Sequence, residues 1–220
     1  MGTLSRKHIL IGGLAALAFV LIGATVGLIV TSSGGGDSGS VRSLTLQPSD
    51  LPSELVLGDE TLYTSKELLA ELPAQSQFAE AGLKEAVHLS WEAQGDTPTV
   101  IDVFVYAYED EASAREAHGY LTGQDTAFNY LLRRVDGGDD PRSLEISGGL
   151  AEDFGDDAYS MSGDMETEAG TKVAVSMYVM RSGSARAEVL VAGGGTRLDP
   201  DKVARAQYLR LRRPEALSAP

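Results

Sequence analysis

The sequence predicts an α+β fold, an antiparallel sheet with helices on one face, joined to an N-terminal transmembrane helix. Three observations lead there. Ile9 to Val30 is an apolar run with no charge in it. Segments rich in β-branched, aromatic and other apolar residues, Thr99 to Tyr108 and Thr171 to Arg181 above all, read as strands in which residues i, i+2 and i+4 share a face. Helical patterns with capping residues follow them, so a strand-strand-helix unit recurs.

At about 1.5 Å rise per residue a run of roughly 22 residues spans about 33 Å, enough for a bilayer core of about 30 Å. A helix satisfies its own backbone there, where no water can. Arg6 and Lys7 precede the run and hold residues 1–8 in the cytoplasm, so the C-terminal bulk lies outside it. A cleaved signal peptide has a shorter apolar region and small residues at its cleavage site, which Thr31-Ser32-Ser33 matches poorly. The chain has no Cys, so lipid attachment after export is closed to it. Gly23 and Gly27 form a G-x-x-x-G pair that would let two anchors approach as a weak homodimer.

Residues 31–43 are rich in Gly and Ser and read as a flexible linker. Residues 44–213 are long enough for one domain with its own core, followed by a tail over 214–220. The net charge is -14, and Arg6 and Lys7 are the only charged residues before the linker. The exported part is therefore two units more acidic, and such a surface repels nucleic acid and anionic lipid headgroups. A domain of this size folds in an oxidising compartment without disulfides, which fits an exported bacterial protein.

Asp50-Leu51-Pro52 turns the chain, and Glu54 to Leu57 leads into a short strand. Ser65 is placed to cap a helix from Lys66 to Leu72, with Leu68, Leu69 and Leu72 inward and Pro73 ending it. Phe78 to Gly82 is a helical turn, and Val87 to Glu92 a strand. Thr99 to Tyr108 puts Ile101, Val103 and Val105 on one face and Phe104, Tyr106 and Tyr108 on the other. Asp110 caps a helix from Glu111 to Leu121 whose inner positions are Ala114, Ala117 and Leu121, with His118 at the exposed side. Gln124 to Ile146 is irregular, with a loop at Asp136 to Pro141. Phe154 to Asp157 is a turn, and a strand starts at Ala158. Thr171 to Arg181 and Ala185 to Ala192 form a hairpin about Ser182-Gly183-Ser184. Asp199 caps a last helix with Pro200 at its first position, inner residues Val203, Gln207, Tyr208 and Leu211, and basic residues in its last turns.

The order of Leu46 to Pro52, Ala79-Glu80-Ala81-Gly82 with Trp91, Val105-Tyr106, Ala112 to Ala117, Phe154 to Ala158, Val179 to Gly183 and Ala204 to Gln207 resembles that in uncharacterised exported proteins of GC-rich bacteria, anchored by lipid or by one helix. It is also distantly similar to extracytoplasmic sensor domains of receptor kinases. The resemblance implies an α+β domain with a cleft and no catalytic residue.

Few catalytic patterns are present. The exported part holds two histidines, His88 and His118, without metal-ligand spacing. There is no G-x-S-x-G elbow, and neither glycine run carries the Lys and Ser/Thr of a phosphate loop. No cofactor is expected. Asp136, Asp139 and Asp140 are candidates for calcium, though their spacing matches no EF-hand. Glu92 and Asp102 are the candidates for a hydrolytic carboxylate pair on neighbouring strands. Trp91, Tyr106, Tyr108 and Tyr178 would line a ligand groove if one sheet face is left open. The expected function is a non-enzymatic, sensor-like domain at the bacterial cell surface that binds a protein or small-molecule ligand, with the bilayer as partner of residues 9–30. The alternatives are an envelope hydrolase and a carrier of lipid or another hydrophobic ligand.

Overall fold

The computed structural model describes residues 41–71, 81–93, 99–122, 144–151, 154, 157–166, 172–193 and 198–212, by backbone alone at 69–71, 120–122, 144–146 and 165–166. The proposed anchor with Gly23 and Gly27, all but the end of the linker, the Asp136 to Pro141 loop and the tail lie outside these residues. Among the described residues no helix is long and apolar enough to cross a membrane.

Seven strands form one antiparallel sheet. They are β1 (Val56–Thr64), β2 (Leu83–Ala93), β3 (Thr99–Tyr108), β4 (Leu144–Leu150), β5 (Tyr159–Glu166), β6 (Lys172–Ser182) and β7 (Ala185–Ala192), in the order β1-β2-β3-β7-β6-β5-β4. Three helices are α1 (Ser65–Glu71), α2 (Glu111–Thr122) and α3 (Pro200–Leu211). The sheet is two meanders joined where β3 pairs with β7, Tyr106 opposite Arg186 and Phe104 opposite Glu188. A two-residue connection through Gly183 closes the β6–β7 hairpin; its φ of 56° is in the left-handed region that glycine enters without a Cβ clash.

The helices do not lie on one face. Ile101, Val103 and Val105 of β3 pack with Trp91, Val189 and Tyr178 under the segment from Val41 to Leu55 and Val203, Ala204 and Leu211 of α3. The opposite face, with Phe104, Tyr106, Tyr108, Met177 and Leu190, packs under Leu68 of α1 and Ala114 and Ala117 of α2. The physical reason is that β3, β7 and β6 are central and carry apolar residues on both faces, so both faces need cover. The strand-strand-helix order does recur, as β2-β3-α2 and β6-β7-α3. A twofold axis between antiparallel neighbours β3 and β7 would put both helices on the same face. They lie on opposite ones, so the repeat is of order and not of symmetry.

Local chemistry sets the element ends. Thr64, rather than Ser65, caps α1: Thr64 N–H and Oγ1–H both donate to Glu67 Oε2 at 2.8 Å, and Glu67 N–H donates back to Thr64 Oγ1 at 3.3 Å. Asp110 Oδ1 accepts from Ser113 N–H at 2.8 Å at the start of α2. Asp199 caps α3 by accepting from Asp201 N–H at 3.1 Å, with Pro200 in the first turn.

The start of the domain is fastened to its last helix. The buried Gln207 side chain accepts from Leu46 N–H at 3.0 Å and donates to Leu44 C=O at 2.7 Å. Three residues further along α3, the Arg210 guanidinium makes two 2.8 Å bonds to the Asp50 carboxylate. Gln207→Leu leaves two buried backbone groups without partners, at a cost of about 1–3 kcal/mol each. Urea unfolding of this variant is expected to show stability lower by about 2–5 kcal/mol at an unchanged slope.

Candidate functional site

The aromatic groove expected from sequence is not assembled. Trp91 and Tyr178 point to one sheet face and Tyr106 and Tyr108 to the other, and all four are buried. The Tyr178 hydroxyl donates to Asp201 Oδ1 at 2.6 Å and ties β6 to the start of α3. Burial, and then this carboxylate, push its pKa up. The two candidate carboxylates are not directly opposed across the strands but stand diagonally on one sheet face. Asp102 stands opposite Ser90, and Glu92 opposite Val100. Asp102 Oδ1 instead accepts from His88 Nε2 at 3.1 Å, and the His88 ring stacks on Phe104 at 4.1 Å. Among the described residues no three His, Asp or Glu side chains converge as a metal site.

The unusual chemistry lies elsewhere, beneath α2. β7 reads Ala-Arg-Ala-Glu-Val-Leu-Val-Ala, and its alternation sends Arg186 and Glu188 to the α2 face. There they are 0% and 1% exposed, with Arg186 Nη2 2.6 Å from Glu188 Oε1. Taking two such charges out of water costs several kcal/mol each, offset only by close pairing and polar neighbours. The neighbours are present. The Arg186 guanidinium lies 5.1 Å from the centre of the Tyr106 ring. The Tyr108 phenol is pushed up to about 12, mainly by burial, with Arg186 pulling it down and Glu188 up.

Arg181 stands directly opposite Arg186 on β6, so two like charges share a cross-strand position. Carboxylates hold the outer one. Arg181 bonds Asp157 through Nε at 3.0 Å and through Nη2, and its Nη1 lies 3.3 Å from Glu111 Oε1 at the start of α2. The Arg181 hydrogen bonds hold the Asp157 carboxyl below the usual carboxylate range. Glu111 also takes Arg115 at 2.9 Å, one turn along the helix. The charges thus run from solvent at Arg115 inward through Glu111, Asp157 and Arg181 to Arg186 and Glu188.

His118 closes this row from above. It was expected on the exposed side of its helix and is 3% exposed. Ala114 and Ala117 are fully buried and small, which lets α2 settle close to the sheet and turns His118, one turn after Ala114, inward. Its pKa is lowered to about 4, chiefly by burial and next by Arg186, against the opposing pull of Asp157.

Sequence reading missed Arg181, Arg186, Glu188 and Asp157 as a group. Arg-x-Glu on a strand otherwise made of Ala, Val and Leu is a usable signal, because both charges fall on one face. Its meaning depends on whether that face is covered. Here it is, so Arg186 and Glu188 brace the interior under α2 out of contact with solvent, while Asp157 and Arg181 stand at its rim. Among the described residues the large apolar side chains that do meet solvent are on β1 (Val56, Leu57, Leu62), at the end of β4 (Leu150) and on α3 (Leu209).

No family model matches the chain, and a search of curated proteins finds no match. Among solved structures the chain is similar to the extracellular domain of PknH from Mycobacterium tuberculosis, with a TM-score of 0.49 and 11% sequence identity, covering 78% of this chain and 92% of that one. This distant similarity goes no further than the likeness drawn from the order of motifs.

Two outcomes test the buried row. Arg186→Met alone is expected to cost about 3–5 kcal/mol, because Glu188 is left charged in the interior, while Arg186→Met with Glu188→Leu recovers most of it. A double-mutant cycle in urea checks this, and additive losses would contradict it. For His118 the unfolded chain takes up its proton near pH 6.5 and the folded one only near pH 4. Its contribution to stability is therefore full above pH 6.5 and lost as pH falls from 6.5 towards 4. His118→Leu is expected to flatten the stability profile in that window, read as urea midpoint against pH.

Proposed function

We propose that the chain is a single-pass, membrane-anchored extracytoplasmic domain that works by binding and not by catalysis. One observation carries this reading. Among the described residues the sheet and both its cores are built from side chains between Val41 and Leu211, with Arg186, Glu188 and His118 inside and the exposed large apolar groups at the rim. A domain complete in itself leaves the run from Ile9 to Val30 for lipid, and the charges at Arg6 and Lys7 set its orientation. Burial of Arg186, Glu188 and His118 suits them to holding α2 against the sheet; a substrate would have to lift that helix to reach them. Contact with a partner then falls to exposed surface, in keeping with a sensor-like role.

The absence of native cysteine makes the topology directly testable. Lys66 is exposed at the start of α1, so Lys66→Cys introduces one accessible thiol. In intact cells that thiol is expected to react with a membrane-impermeant maleimide, and the chain to stay in the membrane pellet after carbonate washing. Labelling only after lysis, or a trimmed chain free in the soluble fraction, would contradict the reading.

A further inference from the structure

The exposed side of α3 departs from the charge of the rest of the chain. Residues 202 to 213 carry five basic side chains and no acidic one, in a protein of net charge -14. Val203, Ala204, Gln207 and Leu211 face the core. On the opposite side of the helix, Lys202, Arg205, Leu209 and Arg212 form one exposed stripe. Leu209 is 58% exposed and has an arginine one turn to either side, Arg205 and Arg212. The arginines are held outward by aromatic rings: Arg205 lies 5.8 Å from the Phe154 ring centre and Arg212 5.9 Å from that of Tyr208. Among the described residues the acidic groups on α3 beside the stripe are Asp199 and Asp201 at its N-terminal end, and Glu152, Asp153 and Asp156 neighbour Phe154 in the sequence. Asp199 is 3.8 Å from Lys202, and Asp201 accepts from Tyr178.

The same helix receives the chain where it enters the domain. Gln207 holds Leu44 and Leu46, and Arg210 holds Asp50. Between Val30, the end of the apolar run, and Val41 lie eleven residue steps. Whatever their conformation, they reach at most roughly 36–40 Å. α3, tied to that entry point, therefore stays within the tether's reach of the surface from which the chain emerges.

We infer that the Lys202–Arg205–Leu209–Arg212 stripe docks on the anionic lipid surface beside the chain's own anchor. This rests on the anchored reading. The lipid phosphates meet the basic side chains, and Leu209 enters the boundary between headgroups and acyl chains, as apolar groups of surface-lying basic helices do. Repulsion from the acidic remainder is screened beyond about 8 Å at physiological salt, so the surface feels the face nearest to it. Docking fixes one orientation: α3 and the first segment lie towards the bilayer, and the face under α1 and α2 looks away from it.

The full chain, with Leu209→Cys carrying an environment-sensitive fluorophore, is reconstituted into vesicles of phosphatidylcholine alone or mixed with phosphatidylglycerol. A second preparation carries the dye through Leu62→Cys on β1. The expected result is a blue shift at position 209 with phosphatidylglycerol, none with phosphatidylcholine alone, and none at position 62. Salt at about 1 M, where screening acts within about 3 Å, reverses the shift. Lys202→Glu with Arg212→Glu lowers the docked-to-free ratio by more than about tenfold. A dye at 209 that stays wet in phosphatidylglycerol vesicles while the chain floats with them overturns the docking and leaves the anchor standing. Release of the chain from phosphatidylcholine vesicles by salt overturns the anchor itself. Equal shifts at 209 and 62, or a shift at 209 with polyglutamate and none with lipid, also overturn the docking.

Discussion

Two hydrogen bonds from one side-chain amide determine how this domain is held. Gln207 donates to Leu44 C=O and accepts from Leu46 N–H, so the segment that starts at Val41 and α3 become one layer. An amide suits the task because it offers a donor and an acceptor side by side, matching the Leu44 C=O and Leu46 N–H that leave the first turn. Both backbone groups lie in an apolar layer with Val41, Val203 and Leu211, where water cannot replace them. The Arg210–Asp50 pair repeats the tie nearer to solvent, at 15% and 20% side-chain exposure, where it contributes less.

On the other side of the sheet the constraint is electrostatic. β7 brings Arg186 and Glu188 into the interior, and the layer above must then be polar enough to hold them and tight enough to keep water out. α2 meets both demands, with alanines for close approach, His118 against the row and Glu111 reaching Arg181 at the rim. A well-packed apolar set of the same volume would be at least as stable. The ion pair therefore serves the placement of α2 over β6 and β7 better than it serves stability. The two faces of the sheet differ in kind: one is an apolar layer closed by the segment from Val41 to Leu55 and by α3, the other a braced polar seam under one helix.

Much of this was legible from local pattern. β3 and β7 run over Thr99–Tyr108 and Ala185–Ala192 as alternation and turn residues indicate, and Asp110, Asp199 and Pro200 mark their helices. What was not legible depended on partners distant in sequence. β4 follows a stretch without periodicity, and it forms because β5 offers an open edge; a Cβ on Gly148 would come within 2.7 Å of Ser160 O, so glycine is needed there. His118 was placed in water because helical spacing counted apolar neighbours only, and a polar interior has no such signature. Trp91 and Tyr178 were paired in expectation with Tyr106 and Tyr108, but strand parity and the pairing register send them to opposite faces. The one-sided sheet failed for the reason that hid Arg186 and Glu188: a polar row on a strand looks the same from sequence whether water or a helix lies above it.

The claim on which the rest leans is that the start of the domain and α3 behave as one rigid layer. The amide hydrogen of Leu46, donated to Gln207, reports on it most directly. Native-state hydrogen exchange is expected to show this amide opening only with global unfolding, at the same free energy as the central amides of β3 and β7. Exchange of Leu46 by a local opening of distinctly lower free energy, with β3 and β7 still protected, would contradict the account.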